Sequence, residues 1–245
     1  MRVVVLGATG GIGRALSRRM AARGERLFLL GRDPYGLAAS AKDLEAHGAP
    51  VPVGSASCDL LRPETFAPAL ACADSELRGF DTVVVTAALF ATQERLEAEP
   101  DLLHRLLLVD FAHAIEFCEE ARRRLAARGG GTLCVVSSVA GERARKPVVI
   151  YGAAKAGLTH YLEGLDHRFR GAGLRTVSVK PGFVRTAMTA GLKVPPFAGD
   201  PDRVARTVLS AIDRGRPVVY APPIWRWIAA VLRALPRSVL RRAEF

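Results

Sequence analysis

The chain opens with a short apolar run, Val3-Val4-Val5-Leu6, that breaks at once into Gly7-Ala8-Thr9-Gly10-Gly11-Ile12-Gly13. An unbroken run of this kind suits a strand buried on both faces, as strands are in a parallel sheet covered by helices. Glycines directly after such a strand let the backbone turn and pass close to a pyrophosphate. The phosphate charge then sits at the N-terminus of the helix that follows, here over residues 14–23. Two glycine spacings fit the loop, Gly7/Gly11/Gly13 and Gly7/Gly10/Gly13.

Further apolar runs recur at intervals that leave room for helices between them. Residues 27–30, 81–86, 132–136, 175–179 and 217–220 read as strands, and 99–128 and 202–214 as helices. Val51-Pro52-Val53 reads as an edge strand, where proline costs least. This alternation predicts one doubly wound α/β domain, a Rossmann fold, with its active site at the carboxyl ends of the strands. At 245 residues, 49% hydrophobic and 24% charged, the chain has the length and balance for a single globular unit. We place that domain at 1–221 and a basic amphipathic tail at 222–245.

The chemistry is concentrated between Ser137 and Lys155. Tyr151 and Lys155 stand four residues apart and share one face of a helix. An ammonium beside a phenol favours the phenolate, so the tyrosine pKa is expected to fall from about 10 toward neutrality. Tyr151 is then a proton donor or acceptor, and the hydroxyl of Ser138 can hold the oxygen that gains or loses the proton.

Ser138, Tyr151-Gly152-Ala153-Ala154-Lys155 and the N-terminal glycines stand in the order found in the short-chain dehydrogenase/reductase family, which this chain resembles over nearly its whole length. The resemblance implies Ser138, Tyr151 and Lys155 as the catalytic set, and Lys155 as a holder of the nicotinamide ribose. Asp110 occupies the position where many relatives carry an asparagine that relays protons to the lysine, and it joins the candidates. The chain's length favours the Gly7/Gly11/Gly13 spacing of this family, although Leu6 stands where a threonine is usual. By the same resemblance the dinucleotide is held by Gly7, Thr9, Gly11, Ile12, Gly13, Arg32, Asp59, Leu60, Tyr151, Lys155, Pro181, Val184 and Thr186. Gly31-Arg32 at the end of the second strand favours NADP(H) over NAD(H), because a guanidinium there can pair with the 2′-phosphate. Asp33 is the complication, since an acid one position earlier would hold the ribose hydroxyls of NAD(H). The Asn-Asn-Ala-Gly of the family is replaced by Val85-Thr86-Ala87-Ala88, where Thr86 can still donate a hydrogen bond.

The activity implied is interconversion of a ketone and a secondary alcohol. Within the family the chain is most similar to reductases of decaprenylphosphoryl-2-keto-pentose, which act with a flavin oxidase to make an arabinose lipid for the cell wall. A reductase of steroids or fatty acyl chains is the competing enzyme, and a weakly active nucleotide-sensing scaffold is the competing class. A homo-oligomer is expected.

The net charge of +11 is mostly arginine. It suits an arginine-rich genome or a basic face toward anionic lipid or a phosphorylated substrate, and no motif points to nucleic acid. Arg143, Arg145 and Lys146 lie between the serine and the tyrosine, as a solvated loop or as receptors for a phosphate. Residues 187–199, with two glycines and two prolines, read as a mobile lid. Cys58, Cys72, Cys118 and Cys134 have no metal-ligand or redox spacing and read as core residues in a reducing cytoplasm, so no metal is expected. No signal peptide is read at the N-terminus. In the tail Ile224, Trp227, Ile228, Val231 and Leu235 repeat at helical spacing with arginines around them. Such a helix suits a membrane interface, against the alternative of packing over the active site or on a second subunit.

Overall fold

The structure, a computed structural model, describes residues 1–50 and 52–242. Seven strands form one parallel sheet: β1 (Arg2–Leu6), β2 (Arg26–Gly31), β3 (Gly54–Ser57), β4 (Thr82–Val85), β5 (Gly131–Val136), β6 (Leu174–Pro181) and β7 (Val218–Ala221). Their order across the sheet is β3-β2-β1-β4-β5-β6-β7. The chain winds outward to β3, then returns to place β4 beside β1. The crevice left at that reversal, beyond the carboxyl ends of the strands, is where ligands bind in open α/β sheets. The doubly wound reading is therefore the observed fold.

Helices cover both faces. Alternate residues of β1 show why the strand is apolar throughout. Val3 and Val5 enter a core with α1 (Gly11–Ala21), α2 (Pro34–Ala46) and α8 (Pro201–Arg214), while Val4 and Leu6 enter the opposite core with α3 (Phe66–Leu77), α6 (His113–Ala127) and α7 (Val149–Phe169). Between α3 and α6 lie two short helices, α4 (Gln93–Ala98) and α5 (Pro100–Leu107). After β7 come α9 (Trp225–Ala234) and α10 (Arg237–Arg242).

Three readings need correction. The edge strand is Gly54–Ser57, after the proline rather than around it. Pro52 and Val53 lie outside the strand, and Val51 is not among the described residues. The helix expected over 99–128 is interrupted by a π-helical turn, Leu108–Ala112, between α5 and α6. Cys58, Cys118 and Cys134 are buried as expected, but Cys72 is exposed.

Candidate active site

The glycine loop leaves β1 through Gly7, whose φ of 91° belongs to the left-handed region that glycine occupies freely. A Cβ on Gly7 would stand 2.6 Å from the Ala87 nitrogen, and one on Gly13 would meet the Gly7 carbonyl oxygen. A Cβ on Gly11 would lie 2.5 Å from the Thr186 methyl, whereas Gly10 has only the Gly7 oxygen, at 3.5 Å. Gly7, Gly11 and Gly13 are thus the positions that need glycine, which selects the first of the two spacings. Thr86 joins the loop to β4, its hydroxyl 3.1 Å from the carbonyl oxygens of both Leu6 and Gly7. One side chain thereby supports the loop that the usual asparagine pair would have steadied.

This cradle at the start of α1 fits a dinucleotide pyrophosphate. Thr9 lies beside it and its carbonyl accepts from the Arg14 guanidinium at 2.9 Å. Ile12, Pro181, Val184 and Thr186 line the adjoining cavity. Val184 is buried and bridges to Gly199. Arg32 is exposed just beyond β2 and makes no hydrogen bond within the described residues. Asp33 is occupied otherwise: it caps α2, accepting from the Tyr35 nitrogen at 3.1 Å. Asp59 likewise makes a local turn, accepting from the Leu61 nitrogen at 3.0 Å, and Leu60 is buried beside it.

Ser138, Tyr151 and Lys155, the candidate catalytic residues, lie side by side. Ser138 follows β5, and its Oγ accepts from the Ala140 nitrogen at 3.1 Å. Tyr151 and Lys155 lie on α7, with the Lys155 Nζ 5.7 Å from the centre of the Tyr151 ring. Ser137 anchors that helix: its Oγ is 3.0 Å from the Lys155 carbonyl oxygen and 2.7 Å from the Thr159 hydroxyl. The adjacent serine pair in the sequence carried this signal. Phe90 packs edge-on to Tyr151, ring centres 5.1 Å apart, and nothing in the sequence pointed to it.

Asp110 sits in the π-helical turn and is fully buried. One carboxylate oxygen accepts from the Leu89 nitrogen at 2.7 Å, and the other lies 3.5 Å from the Lys155 ammonium. That second oxygen makes no hydrogen bond, because the separation from Lys155 is at the outer limit for one. Burial raises the Asp110 pKa above its ordinary value, against the opposing pull of Lys155 and the Leu89 N–H.

This pairing overturns the expectation for Tyr151. Burial, and after it the Asp110 charge, raise the phenol well above its ordinary pKa, with only the hydrogen bond to Ser138 acting the other way. The lysine charge that was to lower it faces a carboxylate instead.

The cavity above these residues has a volume of about 600 Å³, within the range of small-molecule sites. Its far walls come from the 187–199 stretch and from α9, through Trp225, Ile228 and Leu232. Trp225 lies where a side chain at Gly182 would stand, and its indole N–H donates to the Phe197 carbonyl at 3.3 Å. Glu142 fastens this wall. Its carboxylate meets Lys180 at 2.5 Å and Arg233 at 2.8 Å, and accepts from the Tyr220 hydroxyl at 3.2 Å. Arg143 adds a bond to the Leu235 carbonyl at 3.0 Å. The inner face of the tail helix therefore packs over the active site. Glu142 was legible only as the single acid in a basic loop.

A family model described as short chain dehydrogenase matches residues 1–194. An uncharacterized oxidoreductase of Mycobacterium tuberculosis is 35% identical over 98% of this chain and 96% of its own. Carbonyl reductase family member 4 of Xenopus tropicalis is 29% identical over 85% of this chain and 89% of its own. Among solved structures, a short-chain type dehydrogenase/reductase from Mycobacterium ulcerans superposes with a TM-score of 0.80 at 19% identity, covering 98% of this chain and 97% of that one. An actinorhodin polyketide ketoreductase crystallised with NADPH gives 0.81 at 20% identity, covering 96% and 98%. At these identities the structural likenesses establish the fold.

Proposed function

The chain belongs to the short-chain dehydrogenase family, and from that premise we propose that it reduces a ketone to a secondary alcohol with NADP(H). The observation that carries the reading is Tyr151, a phenol with Ser138 and Lys155 beside it in the lining of a largely apolar cavity. The dinucleotide, when bound, supplies the hydride to the carbonyl carbon. Ser138 orients the carbonyl oxygen, and Tyr151 donates its proton to that oxygen as negative charge gathers there. Lys155 then stabilises the phenolate left behind, until solvent returns the proton. Arg32, free at the end of β2 while Asp33 caps a helix, supports NADP(H).

For the substrate, the apolar walls and the basic serine–tyrosine loop suit a hydrophobic ketone with an anionic group. A polyprenyl-phosphate-linked 2-keto pentose, supplied by a flavin oxidase, has both properties. A carbonyl on a fatty acyl chain shares them, and a neutral steroid has only the first. The outer face of α9 supports peripheral contact with an anionic bilayer. Ile224, Trp227 and Val231 are exposed there, Arg226 and Arg233 flank them, and no acid occurs from 224 to 242.

Replacing Tyr151 with Phe tests the chemistry. The variant should bind NADPH as the parent does, by fluorescence titration, and lose at least about a hundredfold in ketone turnover. Turnover within a few-fold of the parent would remove the assigned mechanism.

A further inference from the structure

The cations between the catalytic serine and tyrosine do not share one environment. Arg143 is committed to the Leu235 carbonyl, 3.0 Å away, and so to the tail. Lys146 is exposed at the start of a short turn. Arg145 is different: its side chain lines the cavity that contains Tyr151 and Ser138. It is half-buried, and among the described residues it forms no ion pair and its enclosed Nε has no hydrogen-bond partner.

The rest of the lining sharpens the contrast. Among the described residues no Asp or Glu lines this cavity, and its other cation, Lys155, has Asp110 at 3.5 Å. Arg145 thus places an uncompensated charge in a chamber otherwise walled by groups such as Val139, Val148, Ile228 and Leu232. Burial shifts its pKa downward without a carboxylate to offset the loss of water. Charged groups enclosed in this way are paired in native structures, and a guanidinium presents a planar fork of donors that matches a carboxylate or phosphate. No group among the described residues supplies that partner, which leaves a place for a bound anion.

We propose that Arg145 is the substrate's anion receptor, so that the ketone reduced in this cavity carries a carboxylate or phosphate together with an apolar body. This assignment rests on the ketoreductase reading and gives it a residue that selects the substrate. The receptor belongs to the substrate rather than to the dinucleotide, because the glycine cradle and Arg32 already offer places for the cofactor's phosphates.

The test uses the full chain with NADPH and three matched probes: a medium-chain keto acid, its methyl ester, and the corresponding keto-alkyl phosphate. The parent should prefer the charged ketones over the ester by about 10- to 100-fold in kcat/KM, the range of a charge-assisted hydrogen-bond pair. Comparing acid with phosphate identifies which oxyanion the site takes. Arg145→Met should collapse that ratio toward one, Arg145→Glu should invert it, and Arg145→Lys should keep part of it. A parent that treats acid and ester alike, or a ratio that survives in Arg145→Met, overturns the proposal. Calorimetric titration of the NADPH complex with decanoate and with methyl decanoate separates the two readings. If no probe is reduced, the ketoreductase reading fails on its own. A preference for decanoate that Arg145→Met removes would still support the receptor, and equal affinity for both would refute it.

Discussion

Replacing Asp110 with Asn isolates the part of the raised Tyr151 pKa that comes from charge rather than from burial, which is its larger cause. The substitution keeps an oxygen to accept from the Leu89 nitrogen and removes the carboxylate that lies 3.5 Å from the Lys155 ammonium. With that negative charge gone, Lys155 acts on Tyr151 without a counter-ion. What the substitution removes is the repulsion between the Asp110 charge and the phenolate, the second cause of the raised pKa after burial. Burial, the larger cause, is unchanged, so a displacement of about one pH unit to lower pH is expected. The sign follows from the proton. Alcohol oxidation needs the phenolate, so the alkaline rise of its kcat/KM should begin at lower pH in Asp110→Asn. Ketone reduction needs the phenol, so its alkaline decline should also move to lower pH. The assay is a pair of pH profiles, one in each direction, for parent and variant, with thermal melts to confirm that both remain folded. Unchanged profiles, or movement to higher pH, would refute the claim that the Asp110 charge adds to burial in holding the proton on Tyr151.

Arg32→Ala should weaken NADPH by about tenfold or more while leaving NADH nearly unchanged, since only NADPH carries the 2′-phosphate. Equal losses in fluorescence titrations would place Arg32 elsewhere. The full-length protein should sediment with anionic vesicles and less so at raised salt. Trp227→Gln combined with Val231→Gln should reduce that binding without opening the cavity, since both side chains face outward. A parent protein that ignores vesicles would end the membrane proposal.

The parts legible from sequence were those written in local chemistry. The apolar run of β1, the three glycines and the Ser138–Tyr151–Lys155 spacing each follow from backbone geometry within one element or its adjoining loop. β3 was not legible because Gly54-Ser55-Ala56-Ser57 has little strand propensity of its own. It forms by pairing with β2, where Phe28 leaves room for no side chain at Gly54: a Cβ there would lie 2.7 Å from the ring. The π-helical turn and the Tyr151 pKa were hidden for a related reason. The turn interrupts a stretch whose local pattern reads as one helix, and the Tyr151 pKa follows mainly from burial, which is set by tertiary packing. The tail was read with the correct periodicity and an incomplete partner, because amphipathicity identifies an apolar face without saying what covers it. The inner side, with Trp225 and Ile228, lines the cavity, and Trp227 lies outside.

The placement of α9 also sets an order of assembly. Ser138, Tyr151 and Lys155 precede residue 156, and the glycine cradle lies far upstream of them. The wall formed by Trp225, Ile228 and Leu232 is synthesised after both. Because chains fold from the N-terminal side as they emerge, the nucleotide half can take shape while the substrate chamber still lacks a side. The two sides of the chamber are thereby made at different stages of translation. Glu142 joins them: it waits in the loop after Ser138 until Arg233 arrives, and their pairing completes the chamber.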